Sequence, residues 1–159
     1  MTLTLNRRAR LPIKRCQTRR RPEGGPGRAI AKAGRIERMK ILVIDDSRAM
    51  RRIVTRSIGQ AGHSDHDIIE AENGRDALTL VKSEAPDLVL SDWHMPEMSG
   101  IELLRELNDA GIEVPFGFVT ANATRDMVAQ AEAAGAIFLL ARPFTAEDMA
   151  EVLGVFSGA

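Results

Sequence analysis

The chain has 159 residues, 44% of them apolar, which suffices for one ordinary hydrophobic core and leaves little for a second. Its 22 basic and 22 acidic residues balance unevenly: residues 1–38 carry ten Arg and two Lys against Glu23 and Glu37, a balance of +10, while residues 39–159 carry 10 basic against 20 acidic residues, a balance of −10. No apolar run approaches the roughly 18 residues of a membrane span, no apolar signal core opens the chain, and Cys16 as the one cysteine excludes an intrachain disulfide, so a cytoplasmic protein is expected.

Residues 1–38, "MTLTLNRRARLPIKRCQTRRRPEGGPGRAIAKAGRIER", hold no sustained apolar period and are broken by Pro12, Pro22, Pro26 and three glycines between positions 24 and 27. A disordered tail is expected there. Three origins compete: a basic arm for polyanions or a membrane surface, an organelle transit peptide, and residues translated from upstream of the true start. The lack of serine speaks against transit. Richness in residues with GC-rich codons, and the self-contained opening "MKILVIDDS" at Met39, favour the upstream origin. The expected division is a tail over 1–38 and one folded domain over 39–159.

From Lys40 onward, short apolar runs alternate with helical periods. "KILVID" is the continuous run of a strand buried on both faces, and Met50, Ile53, Val54 and Ile58 then recur at helical spacing until Gly62 ends the helix. "DIIEAE" predicts a second strand, and Asn73-Gly74 turns the chain into a helix carrying Ala77, Leu78 and Val81. "PDLVLSD" is the third strand, followed after Gly100 by a helix with Ile101, Leu104 and Leu107. "VPFGFVT" is the fourth, with a weak point at Gly117. A helix over Thr124 to Ala134, the strand "AIFLLA" and a last helix lined by Met149, Leu153 and Phe156 complete five βα units, the pattern of an α/β parallel sheet.

In such an open sheet the ligand site lies beyond the carboxyl ends of the strands. Here the first strand ends in Asp45-Asp46, the third in Asp92 and the fourth in Thr120, while Arg142-Pro143 follows the fifth. Carboxylates about 4 Å apart repel by roughly 4 kcal/mol per pair at an effective dielectric near 20, so the cluster calls for a raised pKa or a cation. Mg²⁺ suits: it takes one or two carboxylates, keeps waters and completes its octahedron with phosphate oxygens. Thr120 then offers a hydroxyl and Arg142 a cation to the same phosphate.

"VIDDSRAMRRIV", "LSDWHMPEMSGIELL", "FVTA" and "RPFT", in this order and spacing, resemble the receiver domain of bacterial two-component response regulators, most closely its single-domain chemotaxis members. The resemblance covers nearly all of 39–159. It implies a flavodoxin-like, doubly wound sheet of five strands in order 2-1-3-4-5 with five flanking helices. It further implies Asp92 as phosphoacceptor, served by a histidine kinase or phosphotransfer protein or by a small acyl phosphate. By the same resemblance Asp46 binds Mg²⁺ directly and Asp45 mainly through water, the backbone carbonyl of His94 joins Asp92 as a ligand, and Thr120 hydrogen-bonds the phosphoryl oxygen. A cis peptide at Arg142-Pro143 is also implied, as is an output face of fourth helix, fifth strand and fifth helix that includes Phe138 and Leu139. Two positions depart from the family: Arg142 stands where it has Lys, and Leu139 where chemotaxis members have an aromatic switch residue.

The expected function is therefore a stand-alone receiver that self-phosphorylates and self-dephosphorylates with Mg²⁺ but is otherwise no enzyme. With no further domain after Ala159, it is expected to signal by contact with a downstream protein and to bind no specific nucleic acid. The rival is a phosphorylation-independent interaction module in which Arg142 marks a lapsed site. A flavin carrier on the same fold is disfavoured, because "DDSRAM" puts carboxylates where an anionic cofactor needs a Ser/Thr/Gly-rich loop. Blander roles suit several neighbours: Ser47 as a helix cap, His63 and His66 as solvated surface residues, His94 and Asn122 as exposed groups beside the site, and Trp93 as its shield.

Overall fold

The computed structural model describes residues 38–63 and 65–154. The tail reading with Cys16, the side chain of His63, and Phe156 lie outside the described residues. The apolar runs become β1 (Lys40–Ile44), β2 (Asp67–Ala71), β3 (Leu88–Ser91), β4 (Phe116–Thr120) and β5 (Phe138–Ala141). Between and after them come α1 (Arg48–Ile58), α2 (Gly74–Glu84), α3 (Gly100–Asp109), α4 (Arg125–Ala133) and α5 (Ala146–Gly154). All pairings are parallel and the order is β2-β1-β3-β4-β5, as the resemblance implied. Ile44 lies level with Ala71 on one side and Ser91 on the other, so the carboxyl ends of the first three strands form one rim.

Apart from the edge strand β2, the strands are buried on both faces, and alternate residues serve opposite cores. Ile41, Val43, Leu88, Leu90, Val119, Phe138 and Leu140 meet Val54 and Ile58 of α1 and Met149, Val152 and Leu153 of α5. Leu42, Ile44, Val89, Phe116, Phe118 and Leu139 meet α2, α3 and α4 through Ala77, Val81, Leu103, Leu107, Met127 and Ala131. Ser47, Asn73, Ser99 and Thr124 cap the first four helices, each side chain accepting a backbone N–H of the first turn; at Ser99 the cap is reciprocal with Glu102.

Three expectations change. The buried stripe of α1 is Arg51, Val54 and Ile58, not one that includes Ile53, which is 49% exposed. The helix runs on through a wider turn, Gly59–His63, in which Gly62 has φ 92°. His66 is not solvated surface: it is buried, and its Nδ1 accepts the Met39 N–H at 3.0 Å. Gly117 is no weak point, because the Phe138 ring of the adjacent strand lies where a Cβ would stand. The missing side chain at 117 makes room for the aromatic at 138.

Candidate functional site

The backbone ladder continues one residue past the strand ends. The Asp45 N–H donates to the Ala71 carbonyl at 3.2 Å, that of Asp92 to Ile44 at 2.9 Å and that of Arg142 to Thr120 at 2.8 Å. These bonds aim the first side chain beyond each strand at the rim. Asp45, Asp46 and Asp92 each bring one carboxylate oxygen within 4.8 Å of the others. Asp45 and Asp92 are buried and Asp46 is exposed, so the cluster opens to solvent through Asp46.

The carboxylates have donors, but too few. Asp45 Oδ1 accepts the Ser47 N–H at 2.9 Å and Asp92 Oδ1 accepts the Trp93 N–H at 2.7 Å. Arg142 brings Nη2 to 3.7 Å from Asp92 Oδ2. Burial pushes the Asp45 carboxyl from its usual 3.8 up to about 6, against the Ser47 N–H; Asp92 and Asp46 add to the rise and Arg142 opposes it. Asp92 is also raised, first by burial and then by Asp46, while the Trp93 N–H, Arg142 and His94 pull it down. An all-oxygen donor set, compact enough for one ion and with two of its three carboxyls raised by burial, fits a hard divalent cation such as Mg²⁺.

Thr120 is buried at the end of β4, where its Oγ1 makes only a long 3.5 Å bond to the Asn122 carbonyl. Arg142 has a buried Nε with no hydrogen-bond partner, and its peptide to Pro143 is cis. The His94 and Asn122 side chains are exposed, and Ser47 caps α1. Trp93 is more than a shield: it is buried, with its ring centroid 4.8 Å from that of Phe118.

Phe138 and Leu139 are displaced from their expected role. Phe138 is 3% and Leu139 0% exposed, because β5 is covered on both faces by core. Neither side chain lies on the surface that a partner would touch. Sequence spacing also missed Arg51, a buried arginine beside the acid rim. The available signal was its place three residues before Val54 and seven before Ile58, on the buried face of α1.

The indole is a built-in reporter. Mg²⁺ should change Trp93 fluorescence in a saturable way, and Asp46→Asn should weaken the response. A flat titration through millimolar Mg²⁺ on folded protein counts against the cation site.

Residues 41–154 match the response regulator receiver domain. A chemotaxis protein CheY homolog of Campylobacter jejuni is 37% identical over 127 residues, covering 76% of this chain and 96% of that protein. The chemotaxis protein CheY4 of Vibrio cholerae has a solved structure with TM-score 0.66 and 27% identity, over 74% of this chain and 98% of that one. The receiver domain of the putative response regulator NarL of Mycobacterium tuberculosis gives TM-score 0.69 at 27% identity, over 77% and 99%. Among the described residues no helix is long and apolar enough to cross a membrane. Similarity that spans the whole sheet and its acid rim places this chain in the response regulator receiver family.

Proposed function

We propose that Asp92 accepts a phosphoryl group from a histidine kinase or phosphotransfer protein, with Mg²⁺ held by Asp46, Asp45, Asp92 and the His94 carbonyl, and that the phosphorylated domain signals by contact with another protein. Receiver domains as a family are signalling phosphoacceptors that take the group on an aspartate and bind Mg²⁺ at an acidic pocket. The observation that carries the reading here is the convergence of three carboxylate oxygens within 4.8 Å at the rim. When bound, the cation supplies the charge that keeps these carboxylates ionised and neutralises the incoming phosphoryl oxygens.

In the transfer, an ionised Asp92 oxygen attacks phosphorus, the P–O bond forms, and the P–N bond of the donor phosphohistidine breaks as the imidazole leaves. The Trp93 N–H bond steadies the attacking carboxylate. Thr120 offers its hydroxyl to a phosphoryl oxygen, and Arg142, 3.7 Å from Asp92, supplies the cation that family members supply with Lys. In self-dephosphorylation water attacks the phosphorus, the P–O bond to Asp92 breaks, and the carboxylate leaves as inorganic phosphate departs. A cytoplasmic setting suits the proposed donors.

The test is intact mass after incubation with Mg²⁺ and an acyl phosphate. One phosphoryl adduct is expected in the wild type, and none in Asp92→Asn. A folded wild type that forms no adduct with any donor, yet binds a partner unmodified, would establish the interaction-module reading instead.

A further inference from the structure

Arg51 is 5% exposed, although it sits on a helix whose other arginines are exposed. A buried cation is costly unless matched by acceptors, and what matches it here is informative. Its Nη1 donates to the backbone carbonyl of Asp45 at 2.7 Å. Its Nε and Nη2 each lie 3.6 Å from a carboxylate of the β2 edge, Glu70 and Glu72 respectively. Glu70 is about half and Glu72 largely in water, so their pull is screened and the one short bond inside is to the main chain.

That carbonyl belongs to the peptide joining Asp45 to Asp46. The Asp45 N–H is held by Ala71 and its Oδ1 by the Ser47 N–H. With the carbonyl held by Arg51, the 45–46 peptide has one orientation, which sets the direction in which Asp46 leaves the backbone. We propose that Arg51 is a positioning residue for the cation site: it fixes the peptide plane between the two adjacent acids so that both carboxylates face Asp92. The proposal rests on the cation-site reading above.

Charge and position predict opposite signs, which makes the test sharp. As a nearby positive charge, Arg51 repels Mg²⁺, so Arg51→Met should tighten binding if charge alone matters. As a positioning residue its loss should weaken binding, by about tenfold on the scale of outer-shell partners of metal ligands. Arg51→Lys keeps the charge but not the fork, and should weaken binding by roughly threefold. The readout is Mg²⁺ affinity from Trp93 fluorescence, with circular dichroism as the check on folding. Unchanged or tighter binding in either folded variant overturns the proposal. If Arg51→Met does not fold, Arg51→Lys decides it alone, because there the charge account predicts no change.

An NMR readout in metal-free protein separates this proposal from the site reading. The amides of Asp45, Asp46 and Ser47 should shift in Arg51→Lys while the rest of the sheet does not. A wild type blind to Mg²⁺ sinks the cation site, and the amide shifts still judge Arg51: shifts absent from 45–47 refute its hold on the peptide.

Discussion

Gly100→Val is expected to destabilise the domain by about 3 kcal/mol or more, the upper range for overpacking, and to lower the melting temperature by roughly 10 °C. Gly100 opens α3 and donates its N–H to the Trp93 carbonyl at 2.9 Å. A Cβ there would land on the backbone oxygen of Asp92, with Phe118 Cε1 at 2.9 Å and Ser91 Oγ at 3.0 Å closing the other directions. A backbone oxygen cannot swing aside as a side chain does, and the Asp92 N–H is tied to Ile44, so α3 or the acceptor strand must move. That oxygen also accepts the Ser91 hydroxyl at 2.8 Å, and the Gly100 N–H bond to Trp93 is lost if the helix backs away. The effect should reach the site: folded molecules of Gly100→Val should bind Mg²⁺ more weakly, because Asp92 shares the displaced peptide. Gly59→Ala is the control. Gly59 has helical φ −61° and ψ −45° with nothing within 4 Å of a new Cβ, so that change should be neutral or slightly stabilising. Denaturant titration of the two variants checks the pair, and a Gly100→Val protein as stable as wild type would mean that α3 does not press on the acceptor strand.

The rim acids were legible from sequence because two local rules place them. A buried parallel strand reads as an unbroken apolar run, so its end is visible where "KILVI" meets Asp45 and "LVLS" meets Asp92, and in an open sheet that end is the ligand side. The cores were legible for the same reason. Tertiary partners decided the rest. Arg51 is buried because a main-chain carbonyl six residues upstream and the carboxylates of Glu70 in β2 and Glu72 just after it receive it, and no helical period records those partners. Ile53, which periodicity assigns to the core, is half in water because that stretch of α1 is turned to seat Arg51, Val54 and Ile58 instead. Phe138 and Leu139 were placed on an output face by resemblance alone. They point into opposite cores, Phe138 filling the gap left at Gly117, so neither side chain is presented at the surface.

The site is held at a cost to stability, and relieving it should show. In the folded protein the Asp45 carboxyl keeps its proton up to about pH 6, whereas the unfolded chain releases it near 3.8. Between those values the folded state binds more protons, so this group's contribution to stability is present below about pH 4 and is lost as pH rises through 6. The displacement corresponds to at most about 3 kcal/mol, and about 1 to 2 kcal/mol is expected after allowance for solvent at the open side of the cluster. Asp45→Asn keeps an oxygen for the Ser47 N–H while removing the charge. Metal-free Asp45→Asn should therefore melt several degrees above wild type at pH 7.5, with the gap closing towards pH 5. Mg²⁺ should reverse the order: it stabilises the wild type by binding only the folded state, and does little for Asp45→Asn. If metal-free wild type and Asp45→Asn melt alike across pH 5 to 7.5, the buried carboxylates are not in conflict, and the electrostatic case for a cation at this rim fails with them.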